Sequence, residues 1–95
     1  MAERDLEQLF RRRLTARGAL VVKVVPAGVV GVPDRLVLHA GRVWLVELKT
    51  DSGQLRPDQI AWHRKAAQRG VDVVVLSGRD EIERWVDETT ASQAD

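Results

Sequence analysis

Residues 31–49 read GVPDRLVLHAGRVWLVELK and contain two apolar segments on either side of Ala40-Gly41. Both segments are rich in valine and leucine, as buried strands are. Because only two residues separate them, the simplest connection is a two-residue hairpin, although alanine is not an ideal first residue for such a turn. We therefore predict strands from Asp34 to His39 and from Arg42 to Lys49. Apolar residues occupy both alternating positions of each strand, which indicates a sheet that is covered on two sides.

The hairpin places charged residues at one end of the sheet. With a two-residue loop, Asp34 lies directly opposite Glu47, at a Cβ separation of about 5 Å where like charges repel. Lys49 lies two residues after Glu47 and therefore on the same face. A bound divalent cation would explain the paired carboxylates, because hard oxygen ligands at this separation suit Mg²⁺.

Two alternatives stay open at this point. An odd-length loop, with Gly41 as a bulge, would place Asp34 and Glu47 on opposite faces, and the apolar pattern does not exclude that register. Asp34 could also simply end a turn, with Glu47 and Lys49 as a surface ion pair that contributes roughly 0–1 kcal/mol. The geometry alone leaves a functional site and a surface ion pair equally open.

The rest of the chain follows from the spacing of its apolar residues and from its glycines and prolines. The predicted elements are a helix from near Ala2 that stops before Gly18, a strand over 20–25, a helix from Pro57 that stops at Gly70, a strand over 71–76 and a helix over 80–87. The length of 95 residues fits one domain, which we place at 1–88, followed by a polar, flexible tail at 89–95.

Composition sets limits on the class of protein. The chain has no cysteine, no apolar stretch long enough to span a membrane and no signal peptide, which is compatible with the cytoplasm. The formal net charge is only +1, but basic residues cluster at 11–13 with Arg17 and at 64–65 with Arg69. Such clusters can bind phosphate, although solvated helix faces are the simpler interpretation. His39 and His63 have no ligand-like neighbours, so we predict no zinc site.

Two motifs resemble a known nuclease family. Gly31-Val32-Pro33-Asp34, followed thirteen residues after the aspartate by Glu47-Leu48-Lys49, resembles the PD-(D/E)xK nuclease signature. The longer strings GVPDRL at 31–36 and VELKT at 46–50, together with Gln59, resemble the VRR-NUC family. Glu7 matches the first-helix glutamate of that family and of the archaeal Holliday-junction resolvases. The resemblance runs from about residue 3 to residue 75.

The resemblance implies a fold and an activity. The fold is α/β with a PD-(D/E)xK (restriction-endonuclease-like) core, in the order αβββαβα, with a mixed central sheet flanked by helices. The activity is metal-dependent hydrolysis of DNA phosphodiesters, with Mg²⁺ as cofactor and Mn²⁺ able to substitute. The implied substrate is branched DNA, including four-way junctions and flaps. The chain would be the stand-alone form found in phages and bacteria, working as a homodimer in the cytoplasm of a bacterial or phage-infected cell.

The resemblance also assigns roles to residues, and the implied catalytic set is Asp34, Glu47, Lys49, Glu7 and Gln59. Asp34 and Glu47, with the backbone carbonyl of Leu48, would hold the metal. Lys49 would orient a water or help deprotonate it, and would offset charge in the transition state.

Two members of the implied set have weaker assignments. Glu7 would complete the metal site through water or bind a second ion; without the resemblance it only flanks an apolar helix face. Gln59 would contact Lys49 or the substrate; without the resemblance it is an exposed helical residue.

Two rival functions remain on the same fold. One is a duplex or restriction-like nuclease, and the other is a DNA-binding module without catalysis. The intact Asp34, Glu47 and Lys49 argue against the second.

Overall fold

The computed structural model describes residues 1–91 of the chain. Its elements are α1 (Glu3–Ala16), β1 (Leu20–Lys23), β2 (Arg35–His39), β3 (Arg42–Lys49), α2 (Pro57–Ala67), β4 (Val74–Ser77) and α3 (Gly78–Ala91). The order αβββαβα and the α/β fold class predicted from the sequence are confirmed. Among the described residues, no helix is both long and apolar enough to cross a membrane.

The four strands form one mixed sheet in the order β1-β2-β3-β4. β1, β2 and β3 are antiparallel neighbours, whereas β3 and β4 are parallel. β2 and β3 pair His39 with Arg42 through to Arg35 with Val46, which is the register of a two-residue turn. Ala40 and Gly41 both have positive φ, 54° and 78°, as a type I′ turn requires. The alternative with an odd-length loop is therefore wrong.

The hydrophobic core lies between one face of the sheet and helices α1 and α3. Its buried members are Leu6, Leu9, Phe10, Leu14, Ala19, Val21, Val37, Val46, Leu48, Leu76, Ile82 and Val86. Trp85 on α3 stacks against Phe10 and meets Trp44 edge-on, at ring-centroid distances of 6.0 and 5.8 Å. Aromatic pairs of this geometry add to the stabilisation that apolar burial provides.

The opposite face of the sheet is only partly covered. Trp62 and Ala66 of α2 line a cleft with Leu45 of β3, so α2 covers this face at β3. Farther from α2, Leu20 on β1 and Val43 on β3 keep 60% and 62% of their surface exposed. The sheet is thus flanked by helices as predicted, but its cover is incomplete on this face at Leu20 and Val43. The reason is that one short helix cannot span four strands.

The last helix is longer than its composition indicates. Residues 89–91, which we predicted to begin a polar tail, are the last turn of α3, while residues 92–95 lie outside the described part of the chain. Thr90 is buried, with its hydroxyl donating to the Val86 carbonyl and accepting from Arg17. Arg17 also binds Asp87. The contacts with Arg17, which directly follows α1, support this last turn despite the weak helix propensity of threonine.

Candidate active site

The two predicted carboxylates lie at the same end of the β2–β3 hairpin. The ladder ends with Arg35 opposite Val46, so Asp34 and Glu47 come next in register. The Asp34 carbonyl accepts a hydrogen bond of 2.9 Å from the Val24 N–H, which holds the backbone extended one residue before β2 begins. The Asp34 side chain is 47% exposed, whereas that of Glu47 is 9% exposed. The hairpin thus juxtaposes one solvent-facing and one buried carboxylate.

The environment of Glu47 disfavours its charge. Burial is the main cause that raises its pKa, and the negative charge of Asp34 raises it further. Lys49 and Arg56 act in the opposite direction, and Glu3 adds a smaller repulsion. In addition, Glu47 Oε1 is fully buried and accepts no hydrogen bond among the described residues. A buried carboxylate oxygen without a partner is costly, and a bound cation would remove that cost.

The residues at this position fit a hard divalent cation. Two carboxylates, Asp34 and Glu47, and the adjacent carbonyl of Leu48 are the oxygen donors that Mg²⁺ uses. Within residues 1–91 no group of three or more His, Cys, Asp or Glu side chains is arranged as a metal site. Mg²⁺ is commonly bound through one or two carboxylates, with waters and substrate phosphate completing the shell. The small donor set therefore resembles a catalytic magnesium site more than a closed structural one.

Lys49 lies at the end of β3 on the same face as Glu47. Its charge lowers the pKa of both Glu47 and His63, so its ammonium group is near both side chains. In the described part of the chain Lys49 takes part in no ion pair. Its ammonium group is thus not committed to a structural partner.

Arg35 connects Glu7 to Asp34. One guanidinium nitrogen lies 2.9 Å from the Asp34 carboxylate, and the other lies 3.1 Å from Glu7. The second Glu7 oxygen lies 3.5 Å from Arg11. Both oxygens of Glu7 therefore contact arginines, and its link to the candidate metal site passes through Arg35.

Comparison with known proteins identifies the family. No protein-family model matches the chain. The chain is 38% identical over 79 residues to "Putative nuclease p44" of Acyrthosiphon pisum secondary endosymbiont phage 1, a match that spans 82% of this chain and 85% of that protein. A solved structure described as a VRR_NUC domain superposes with a TM-score of 0.81 at 30% identity, over 90% of this chain and 94% of the other. The chain belongs to the VRR-NUC family. The resemblance drawn from the strings at 31–36 and 46–50 is confirmed.

Gln59 has a structural contact in this VRR-NUC domain. It is 4% exposed, and its Oε1 accepts a 2.9 Å hydrogen bond from the backbone N–H of Arg56. A glutamine at the third helical position can reach back to the residue before the helix in this way, which caps α2. The alternative interpretation of Gln59 as an exposed helical residue is therefore wrong. Gln59 has no hydrogen bond to Lys49 within the described residues, and its predicted contact with the substrate stays a prediction.

Gly31 fixes how the loop before Asp34 packs in the VRR-NUC fold. Its φ of +86° is in the left-handed region that glycine tolerates. A Cβ atom at this position would lie 2.7 Å from the carbonyl carbon of Asp58 and closer still to the carbonyl oxygen. The glycine therefore lets the loop contact the first turn of α2, which also carries Gln59.

Sequence reasoning missed Arg35 and His63. Arg35 shares the core-facing side of β2 with Val37, and an arginine in that alternation indicates a buried cation that needs carboxylates. His63 lies one helical turn after Gln59, and its Nε2 is 3.9 Å from Glu47 Oε1. Its pKa is lowered by burial and, to a smaller extent, by Lys49. Only the docking of α2 over β3 reveals this contact, since 16 residues of sequence separate the two.

Proposed function

We propose that this VRR-NUC domain is a metal-dependent endonuclease that hydrolyses DNA phosphodiester bonds. The observation that carries the proposal is the buried, unpartnered oxygen of Glu47 beside Asp34, with the uncommitted Lys49 on the same face. The membership of the VRR-NUC family and the relative named as a nuclease support the same activity.

In this proposal each residue of the site has a defined task. Asp34 and Glu47, together with the Leu48 carbonyl, would hold Mg²⁺ or Mn²⁺. When bound there, the ion supplies Lewis acidity toward a phosphoryl oxygen and lowers the pKa of a coordinated water. Lys49 orients the attacking water and offsets the negative charge that develops on the phosphoryl group.

Glu7 would act on the metal site indirectly, through Arg35. Its oxygens contact Arg35 and Arg11. Arg35 in turn holds the Asp34 carboxylate at 2.9 Å. Glu7 thereby fixes the orientation of Asp34 through Arg35, and would reach the metal only through water.

Basic side chains near α2 offer a path for the DNA backbone. Arg64 and Lys65 are exposed on the helix whose other side meets the site, and Arg69 is exposed just after that helix ends. By contrast, Arg13 and Arg17 of the first basic cluster bind Glu83 and Asp87 of α3 and thus join two helices. We therefore assign phosphate contacts to the second cluster.

Branched DNA, such as a four-way junction or a flap, is the proposed substrate.

The decisive experiment compares substrates, metals and carboxylate variants. The wild-type protein is incubated with junction, flap and linear duplex DNA in Mg²⁺, Mn²⁺ or EDTA. We expect cleavage of branched DNA with either metal, none with EDTA, and none by Asp34→Asn or Glu47→Gln. Glu88→Gln, which neutralises an exposed carboxylate on α3, is the matched control and should cleave normally. Cleavage by either site variant at saturating Mg²⁺ would exclude these ligands.

The proposed working unit is a homodimer. One active centre cuts one strand, whereas resolving a junction needs two symmetric cuts, which a two-fold dimer provides. The uncovered apolar sheet face around Leu20 and Val43 offers a surface for the second copy.

Sedimentation without DNA tests this assembly. At micromolar protein we expect a dimer, and Val43→Lys should shift it toward monomer. A wild-type monomer that still makes paired nicks in a junction would contradict the dimer.

A further inference from the structure

His63 of α2 lies directly over Glu47 of β3. The two side chains are 13% and 9% exposed, and the separation between Nε2 and Oε1 is 3.9 Å. Both atoms are fully buried, and neither has a hydrogen-bond partner among the described residues. Two buried polar atoms that lie opposite each other without a hydrogen bond are unusual, because buried polar groups in proteins are nearly always paired.

The chemistry of the two groups is complementary. A neutral imidazole carries one N–H, and a carboxylate accepts hydrogen bonds at both oxygens. The gap exceeds a direct hydrogen bond of about 2.9 Å by only about 1 Å, a distance that a small rotation of either side chain closes. With Oε1 held by the imidazole, the second oxygen of Glu47 is left for another ligand. The contact would also restrict the rotation of the carboxylate.

We propose that His63 is a positioning residue that donates its Nε2–H to Glu47 Oε1 and so fixes the carboxylate for metal binding. The inference rests on the proposed function, in which Glu47 is a metal ligand. Hydrogen-bonded partners of metal ligands orient those ligands, and their removal typically costs about 10- to 100-fold in metal affinity or activity. His63 does not itself contact substrate or metal in this scheme.

The first test uses the protein without DNA and measures Mn²⁺ binding by calorimetry. His63→Ala should weaken Mn²⁺ binding at least about 10-fold. A melting curve in EDTA shows what fraction of the variant is folded at the assay temperature. His63→Gln, whose amide nitrogen stands where Nε2 does, should recover most of the lost affinity. His39→Ala is the matched control. It removes the other histidine with a buried, unpartnered Nε2, at the far end of β2 and about 16 Å away by strand rise.

A second test reads the contact directly and does not require activity. The ring ¹⁵N shifts of His63 should show a protonated Nε2 in the wild type, and Glu47→Gln should move that resonance while His39 stays unchanged. In cleavage assays His63→Ala should raise the Mg²⁺ concentration for half-maximal rate by the same factor as the Mn²⁺ dissociation constant.

The outcomes separate this inference from the proposed function. An Nε2 without a proton, or Mn²⁺ affinity within twofold of wild type in folded His63→Ala, would overturn the role of His63. If instead the wild type cleaved no DNA with any metal, the proposed function would fail, while the ¹⁵N shifts and Mn²⁺ isotherms would still decide the role of His63. If His63→Ala does not fold, the Mn²⁺ affinity of His63→Gln and the ring ¹⁵N shifts of the wild type decide whether His63 positions Glu47.

Discussion

Replacing Gly31 with alanine should destabilise the domain strongly, because two penalties coincide at this residue. Its φ of +86° is left-handed, which costs an L-residue about 1–2 kcal/mol. The new methyl group would also lie 2.7 Å from the Asp58 carbonyl carbon, so the first turn of α2 must move. Forced overpacking of this kind costs about 1–3 kcal/mol. Together we expect a loss of about 2–5 kcal/mol, which at about 4–8 °C per kcal/mol for a domain of this size lowers Tm by roughly 10–40 °C.

Gly28→Ala is the matched control for this prediction. Gly28 has a similar φ of +74°, but nothing lies within 4 Å of the position that a Cβ atom would occupy. Gly28→Ala should therefore lower the free energy of unfolding only by the cost of the left-handed backbone, about 1–2 kcal/mol. Urea denaturation of both variants, with unchanged m-values, measures the difference. If the two glycine variants were equally destabilised, the close approach between the Gly31 loop and α2 would not contribute, and the packing argument would be refuted.

Two further predictions concern the site itself. Lys49→Ala should lower the single-turnover cleavage rate by about 10²-fold or more, with little change in DNA affinity or Tm, because the Lys49 charge acts on the developing phosphoryl charge. If the variant lost only DNA affinity, Lys49 would be a phosphate anchor. Glu47→Gln in EDTA should melt at a higher temperature than wild type at pH 7. The folded pKa of Glu47 is raised above its ordinary value of 4.5, so the native state loses stability as the pH rises from the unfolded pKa through the folded pKa. The uncharged glutamine side chain in Glu47→Gln removes that loss. The difference in Tm should shrink at pH 4, and a constant difference would show that the charge of Glu47 is not its cause.

The hairpin and its carboxylates were predictable from the sequence because local signals fix them. Ala40-Gly41 made a two-residue turn the simplest connection between two apolar segments, and the observed register is that of this turn. The order of elements followed from apolar periodicity and from glycine and proline positions for the same reason. Asp34 and Glu47 are then placed by strand pairing, which needs no knowledge of the helices.

The contacts that the sequence did not reveal are all long-range. Arg35 meets Glu7 because α1 packs on the core face of β2. His63 meets Glu47 because α2 crosses the other face of β3. The last turn of α3 depends in the same way on Arg17, which directly follows α1, and the small residues at 89–91 give no local sign of it. Neither helix docking angle nor helix-to-helix ion pairing is encoded in a spacing of a few residues.

The distribution of charge at the site is the opposite of what stability alone favours. Buried charges in proteins are usually paired, while exposed ones need no partner. Here the half-exposed Asp34 has Arg35 at 2.9 Å, whereas no arginine or lysine among the described residues lies within ion-pair distance of the buried Glu47. A buried carboxylate with a raised pKa, an unpartnered oxygen and a second carboxylate beside it is a cost that the fold carries rather than relieves. Such costs concentrate at functional sites, where a bound cation can offset them. The missing positive charge at Glu47 therefore supports the proposal of a metal ion at this position.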